Sequence, residues 1–214
     1  MISGDMYEYE ERDYPQFGKP EGEDGRSLLA EMNIQHRKLS EWALTTLPEL
    51  KCKKILDIGC GGGMLISLLA AKYPEAEIFG VDISGESVAM TKKVNADLVE
   101  RGRCHISLNS VSGLPFSAGT FDLVTAFETY FFWPDLENDI PKAAATVAEG
   151  GCMIIVSELY PHPAFNERND EAARLSGLRL RSNEEMAEMM RNCGLDVTVN
   201  EIEEKNWISF VGTR

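Results

Sequence analysis

The segment from Ile55 to Gly63, Ile-Leu-Asp-Ile-Gly-Cys-Gly-Gly-Gly, constrains the fold of this chain more than any other part. It predicts a short buried strand over 54–58 that runs into a glycine-rich turn, and the apolar stretch 64–70 predicts a helix after the turn. Glycines allow positive φ angles there and let a ligand approach the backbone closely. The helix that follows presents free N–H groups and its positive dipole end to such a ligand.

The glycine spacing distinguishes between two kinds of cofactor. A dinucleotide site requires Gly-x-Gly-x-x-Gly/Ala, but the frame that begins at Gly59 has Met64 in place of the third small residue. The spacing that fits is Asp-x-Gly-x-Gly-x-Gly, which starts at Asp57. A second predicted strand, 77–81, ends at Asp82, a good position for a carboxylate that binds a ribose diol.

This motif resembles the first motif of the class I S-adenosylmethionine-dependent methyltransferases of the small-molecule type, and the resemblance extends from about Met32 to Ser157. It implies S-adenosyl-L-methionine as cofactor and S-adenosyl-L-homocysteine as product. Ser110 stands where an aspartate that binds the adenine amino group is common, and a hydroxyl accepts that hydrogen bond more weakly. The cofactor-binding residues that the resemblance implies are Asp57, Gly59, Cys60, Gly61, Gly63, Asp82, Ile83, Ser110, Val111 and Phe127.

The acceptor side is predicted from the fourth strand, 121–127, because open α/β sheets bind ligands at the carboxyl ends of their strands. Methyl transfer requires an aligned in-line displacement and exclusion of water. It requires a base only if the acceptor must lose a proton. Asn33 and His36 lie in a segment that resembles the N-terminal helix of the same family, and the resemblance implies that this helix crosses the cofactor mouth. Glu128 and His36 are the candidate catalytic bases, and a purely orienting or structural role stays open for each. The candidate substrate residues are Asn33, Tyr130, Trp133, Tyr160 and His162.

Strands alternate with helices from residue 54 onward, which predicts an α/β fold. The pattern also predicts helices over 27–47 and 84–101, a third strand over 104–108, and a helix over 134–148 that Pro141 kinks or splits. We expect a doubly wound, mostly parallel, seven-stranded Rossmann-like sheet with helices on both faces and, by the resemblance, an antiparallel C-terminal hairpin edge. Residues 26–214 are predicted to form one methyltransferase domain, with 159–181 as an inserted substrate-side excursion. Residues 1–25 are acidic and predict either a solvated tail or a lid; their aromatic residues are Tyr7, Tyr9, Tyr14 and Phe17.

The composition of the chain argues against several classes of function. The formal net charge of −14 over 214 residues argues against a nucleic-acid partner. Five scattered cysteines without a Cys-x-x-Cys pair predict no metal site and favour a reducing cytoplasm. No apolar stretch is long enough for a membrane span, and the N-terminus has no signal pattern. Oligomeric state is not predicted.

Three other functions stay open beside methyl transfer to a small-molecule acceptor. The first is a cofactor-binding protein without transfer activity, which acts as a sensor or partner. The second is another transferase on the same fold, such as an aminopropyl transferase. The third, a dehydrogenase, is disfavoured by the interrupted Gly-x-Gly-x-x-Gly frame.

Overall fold

The computed structural model describes residues 13–214, so Tyr7, Tyr9 and the rest of the first twelve residues lie outside the described part. Seven strands and eight α-helices follow one another in this part of the chain. The strands are β1 Lys54–Ile58, β2 Glu77–Asp82, β3 Cys104–Leu108, β4 Phe121–Phe127, β5 Val147–Ser157, β6 Asp196–Ile202 and β7 Trp207–Thr213. The helices are α1 Gly22–Gln35, α2 Arg37–Ala43, α3 Met64–Lys72, α4 Gly85–Val94, α5 Ala96–Glu100, α6 Leu136–Ala145, α7 Asn166–Ser176 and α8 Asn183–Arg191.

The seven strands form one sheet in the order β3-β2-β1-β4-β5-β7-β6. Strands β1 to β5 pair in parallel, and β7 runs antiparallel to both β5 and β6. The chain starts at the centre of the sheet, builds outward through β2 and β3, and returns to the other side of β1 with β4. This confirms the predicted fold class. It also creates a crevice at the carboxyl ends of β1 and β4, where strand order reverses.

The sheet is buried on both faces, which explains the continuous apolar runs of its central strands. Residues Met153 to Val156 of β5 are fully buried. Side chains alternate along each strand, so Leu56, Val124 and Ile155 pack on one face while Ile55, Leu123 and Ile154 pack on the other. The rigid sheet therefore fixes the positions of the loops that leave its carboxyl edge.

Three predicted elements differ from the structure. The single helix predicted over 27–47 is two helices, α1 and α2, with His36 between them. The helix predicted over 84–101 is interrupted at Asn95, whose amide donates hydrogen bonds to the carbonyls of Gly63 (2.9 Å) and Thr91 (3.1 Å). Helix α6 is not split at Pro141, where a kink or a split was expected. Each difference reflects a tertiary contact or a local geometry that periodicity does not report.

No helix within residues 13–214 is both long and apolar enough to cross a bilayer.

Candidate active site

A cavity opens at the carboxyl ends of β1, β2 and β4, under α1 and the segment that precedes it. Most of the predicted site residues line this cavity. They are Asn33, His36, Asp57, Gly59, Cys60, Gly61, Asp82, Ile83, Ser110, Val111, Phe127, Glu128 and Trp133. Four predicted residues, Gly63, Tyr130, Tyr160 and His162, are not among the lining residues.

The glycine turn shapes the floor of the cavity. Gly59, Gly61 and Gly63 have φ angles of 75°, 51° and 85°, a region that favours glycine. A Cβ on Gly59 would lie 2.3 Å from Thr129 Oγ1, so the turn packs tightly against the end of β4. A Cβ on Gly61 would have no neighbour closer than 4.0 Å. Gly61 therefore lines the cavity without a close protein contact at this position, which leaves room for a ligand.

Asp82 ends β2 with its carboxylate at the same turn. Its Oδ2 accepts a hydrogen bond from Gly61 N (2.9 Å), and its Oδ1 accepts one from Ser84 N (2.8 Å). Burial raises the pKa of this carboxyl, while the hydrogen bonds from Ser84 and Gly61 act in the opposite direction. A carboxylate has about four acceptor positions, so Asp82 keeps capacity for further donors.

The side chain of Asp57 has different surroundings from that of Asp82. It is 1% exposed, and its Oδ1 accepts a hydrogen bond from Thr125 Oγ1 at 2.7 Å. Its Oδ2 has no hydrogen-bond partner among the described residues. Burial raises the pKa of Asp57 to about 7, with the Thr125 hydrogen bond opposing that shift. Asp57 is a lining residue of the cavity, and a buried acceptor without a donor is costly, so this residue is suited to a donor from a ligand.

Ile83, Ser110 and Val111 form another side of the cavity. Ile83 is exposed although it is a large apolar residue, and Val111 is buried. The hydroxyl of Ser110 accepts a hydrogen bond from Ser112 N at 3.2 Å. This hydroxyl still has its own proton and a second lone pair, which leaves it able to contact a polar ring edge.

Asn33 is a predicted substrate residue, and in the structure both polar atoms of its side-chain amide form hydrogen bonds with the backbone. Its Nδ2 donates to Gly62 O at 2.9 Å, and its Oδ1 accepts from Met64 N at 3.2 Å. The same amide fills the space that a Cβ on Gly62 would need. Asn33 therefore ties helix α1 to the glycine turn and to the first N–H group of α3.

The two candidate bases lie on either side of Glu158, which follows β5. Glu128 has a positive φ of 53°, and its Oε1 accepts a hydrogen bond from Glu158 N at 2.6 Å. His36 Nε2 lies 3.7 Å from Glu158 Oε1. Burial and the charge of Glu158 raise the pKa of Glu128 well above its ordinary value. Burial lowers the pKa of His36, and Glu158 opposes that shift.

Single ligand atoms of His36, Glu128 and Glu158 all lie within 4.8 Å of one another. A cation could bridge atoms at this spacing, but a proton shared between the carboxyl groups also relieves their repulsion. We assign no metal ligands here.

The remaining predicted substrate residues have other surroundings. Tyr130 is 1% exposed and belongs to the core. Tyr160 is also buried, and its hydroxyl donates to Glu201 Oε2 at 3.3 Å. His162 lies in the loop before α7, where its Nδ1 accepts a hydrogen bond from Ala164 N at 3.3 Å. These three side chains are therefore directed to the core or to their own loop.

Two residues near the candidate bases were not predicted from the sequence. Phe132 lines the cavity, and Glu158 contacts both candidate bases. The signal for Phe132 was its proximity to Glu128 at the end of β4. Glu158 has the equivalent signal one strand away, since it directly follows β5. Thr129, which follows β4 and was expected to face the acceptor, lines the cavity and packs on Gly59.

The described part of the predicted tail or lid lies at the cavity mouth. Phe17, Gly18 and Pro20 line the cavity, and a Cβ on Gly18 would lie 2.8 Å from the Phe132 ring. Ser84 Oγ donates a hydrogen bond to Pro20 O at 2.6 Å. These contacts attach residues 17–20 to the site that they border.

Comparison with known proteins matches the central part of this chain to a known kind of domain. Residues 55–151 match a family model described as a methyltransferase domain. Trans-aconitate 2-methyltransferase of Afipia carboxidovorans is 30% identical over 112 residues, which are 52% of this chain and 41% of that relative. The chain spans less than half of the length of the curated relatives that it matches.

Two solved structures share the fold. An O-methyltransferase family protein from Burkholderia thailandensis superposes with a TM-score of 0.78 at 16% identity, over 94% of this chain and 63% of that one. Geranyl diphosphate C-methyltransferase from Streptomyces coelicolor, in complex with Mg2+, geranyl diphosphate and S-adenosyl-L-homocysteine, gives 0.73 at 14% identity, over 93% and 87%. Together, the sequence match and these two structures show that the chain contains a methyltransferase domain and has the fold of known methyltransferases.

Proposed function

We propose that this chain transfers the methyl group of S-adenosyl-L-methionine to a small-molecule acceptor by in-line displacement. One observation carries the proposal. The glycine turn places Gly61, with no protein atom closer than 4.0 Å to its Cβ position, in a cavity that Asp57 and Asp82 also line.

The residues present fit the cofactor. Asp82 has acceptor positions left for the two ribose hydroxyls, beyond those used by Gly61 and Ser84. Ile83 and Val111 offer apolar surface for the adenine ring. The unpartnered Oδ2 of Asp57 suits the ammonium of the methionine part, which would supply the missing donor. When bound, the cofactor supplies an electrophilic methyl group on a sulfonium ion.

The chain contributes orientation, exclusion of water and a proton acceptor. Phe127, Phe132 and Trp133 border the cavity, and aromatic faces stabilise a cation such as a sulfonium. Phe17 and Pro20 cover the mouth, which supports the lid interpretation of residues 1–25. Glu128 and His36 are the proton acceptors available on the acceptor side.

A small acceptor is supported by the names of related proteins. One relative is named for trans-aconitate, and one structural neighbour holds geranyl diphosphate. Both are small molecules. The strong negative charge of this chain is unfavourable for nucleic acid.

Calorimetric titration of the full chain with S-adenosylmethionine, S-adenosylhomocysteine and NADH tests the cofactor. We expect binding of the two sulfur ligands and not of NADH. Asp82→Asn should weaken that binding by at least about tenfold, because a charged hydrogen bond contributes roughly 1.5–3 kcal/mol. No binding of either sulfur ligand would contradict the proposal.

Asp122→Asn is a matched control for the Asp82 variant. Asp122 Oδ2 also accepts hydrogen bonds from two backbone N–H groups, those of Lys53 (2.7 Å) and Lys54 (2.9 Å), but Asp122 is not a lining residue of the cavity. Its variant should bind the sulfur ligands like the unmodified chain. An equal loss in both variants would indicate general destabilisation instead of a lost ligand contact.

A further inference from the structure

Glu158 is held in place at each of its backbone polar groups. Its carbonyl accepts hydrogen bonds from Arg168 Nη2 (2.7 Å) on α7 and from the buried Asn206 Nδ2 (2.9 Å) before β7. Its N–H donates to Glu128 Oε1 at 2.6 Å. Three other segments of the chain therefore contact Glu158, which directly follows β5.

The side chain of Glu158 faces His36. Its Oε1 lies 3.7 Å from His36 Nε2, and the two side chains are 31% and 16% exposed. The carboxyl groups of Glu128 and Glu158 also lie close to each other, since single ligand atoms of both are within 4.8 Å of one another. Burial and the charge of Glu158 raise the pKa of Glu128, while Arg168 opposes that shift. Glu128 therefore retains a proton more readily than an ordinary glutamate.

We propose, on the basis of the methyl transfer proposed above, that Glu158 is a positioning residue. Its backbone N–H fixes the Glu128 carboxyl group, and its carboxylate stabilises His36 after His36 has taken up the proton that the acceptor releases. The arrangement is suited to proton uptake because the imidazole is neutral beforehand, as burial lowers its pKa. Once protonated, the imidazolium faces an ionised carboxylate. The distance of 3.7 Å is longer than a hydrogen bond, and we expect it to shorten in the charged state.

The step balances without a further reactant. A lone pair of the acceptor atom forms a bond to the methyl carbon, and the carbon–sulfur bond breaks with its electron pair left on sulfur. The proton of the acceptor O–H or N–H moves to His36 Nε2. The acceptor leaves methylated and neutral, S-adenosylhomocysteine carries an uncharged thioether, and His36 later returns its proton to solvent.

This arrangement predicts the acceptor class. A neutral molecule with an O–H or N–H group both requires and supplies the proton that His36 takes up. A carboxylate acceptor has no proton to release and would be repelled by Glu158. We therefore expect uncharged protic acceptors, in contrast to the polyanion for which the trans-aconitate relative is named.

The charged and titratable groups around the pair come from several elements. Glu128 follows β4, and Arg168 on α7 interacts electrostatically with both Glu128 and Glu158. Tyr14, in the segment before α1, interacts with Arg168, and Tyr130 with Glu128. Any test of the pair must therefore change Glu158 alone and leave these neighbours in place.

The test is an NMR titration of the histidine ring nitrogens in the full chain, in buffer with EDTA. The chain has three histidines, which makes assignment practical. Glu158→Gln retains the backbone N–H that binds Glu128 and removes the charge. We expect about a tenfold lower proton affinity of His36 in this variant. Glu158→Asp, which retains the charge one methylene further away, should give an intermediate value and serves if the glutamine variant does not fold.

Glu77→Gln is the control, since Glu77 Oε1 lies 2.7 Å from His105 Nε2 in another carboxylate–histidine pair, away from the cavity. It removes a carboxylate charge elsewhere in the chain and should leave the titration of His36 unchanged. A His36 titration that is the same with and without the Glu158 charge would overturn the proposal. So would a His36 that takes up no proton above about pH 4 in the unmodified chain, because it could not then accept one during turnover.

S-adenosylhomocysteine binding is measured separately on each variant. Its absence from all of them would refute methyl transfer, whereas retained binding with an unresponsive His36 would refute only the role of Glu158. With an acceptor in hand, the acidic limb of the kcat profile should move to lower pH in Glu158→Gln. A purely structural role of Glu158 would lower kcat without moving that limb.

Discussion

At the scale of single residues, Gly59 has space for a hydrogen atom and for nothing larger. A Cβ there would lie 2.3 Å from Thr129 Oγ1 and 2.8 Å from Thr129 Cβ, in a backbone with φ of 75°. We expect Gly59→Ala to lower the free energy of unfolding by about 2–4 kcal/mol, because strain and overpacking add. It should also weaken S-adenosylhomocysteine binding at least about tenfold, because the turn that carries Gly61 must shift.

Gly119→Ala separates backbone strain from overpacking as the cause of these losses. Gly119 has a similar φ of 66° but nothing within 4 Å of its Cβ position. This variant should cost about 1 kcal/mol in urea unfolding and leave ligand binding unchanged. Equal losses in the two variants would mean that backbone strain alone, and not contact with Thr129, explains the requirement for glycine at position 59.

Asp57 provides a pH-dependent prediction at the same scale. Its pKa is about 7 in the folded chain and about 3.9 in an unfolded one. The folded state therefore binds more protons between these values, and ionisation of Asp57 destabilises the fold as pH rises from about 4 to 7. The full effect is on the order of 4 kcal/mol at most.

Asp57→Asn removes this titration. In urea unfolding at a series of pH values, the difference in stability between the variant and the unmodified chain should shift in favour of the variant from pH 4 to 7 and then level off. The buried amide carries its own desolvation cost, so the change with pH is diagnostic and the absolute difference is not. Parallel curves would show that Asp57 is ionised throughout.

At the scale of elements, the sequence predicted the strands better than the helices, because an apolar run is a local pattern. Strands β1, β3 and β4 have the predicted bounds, because a buried parallel strand is a short apolar run between turns. The helices next to the cavity were predicted less well. His36 and Asn95 interrupt them, and Asn95 does so through contacts with a turn more than thirty residues earlier in the chain. Periodicity carries no information about such contacts.

The same limit applies to the site. The glycines and Asp82 belong to a spaced motif and line the cavity, apart from Gly63, whose Cβ position faces Thr91 and Asn95. Tyr130 and Tyr160 were selected by position alone, and their side chains turn into the core. Glu158 was missed because its partners, Glu128 and His36, come from segments that only the folded sheet brings together.

The segment before α1 provides a prediction for a whole element. Phe17 lines the cavity from this segment, which is held by the hydrogen bond from Ser84 to Pro20. If it acts as a lid, Phe17→Ala should shorten the residence time of bound S-adenosylhomocysteine several-fold in stopped-flow measurements, with a smaller change in association rate. Phe17→Leu retains an apolar cover and should stay close to the unmodified chain. Unchanged dissociation in Phe17→Ala would exclude a covering role for this side chain.

At the scale of the whole molecule, the net charge of −14 acts on every ligand that approaches. The cavity itself contains the acidic residues Asp57, Asp82 and Glu128. A negative field attracts the sulfonium of S-adenosylmethionine, while the thioether of S-adenosylhomocysteine lacks that charge. The chain should therefore favour substrate over product by an electrostatic contribution, in addition to the contacts that both ligands make equally.

That contribution depends on salt, whereas the shared contacts cancel in a ratio. Raising the ionic strength from about 0.02 M to 0.5 M shortens the Debye length from about 20 Å to about 4 Å. We expect the ratio of S-adenosylmethionine to S-adenosylhomocysteine affinity, measured by calorimetry, to fall about two- to fivefold over this range. A constant ratio would mean that the sulfonium is recognised only by groups in direct contact, such as the aromatic rings at the mouth. In that case the acidic surface would contribute to solubility and not to the exchange of substrate for product.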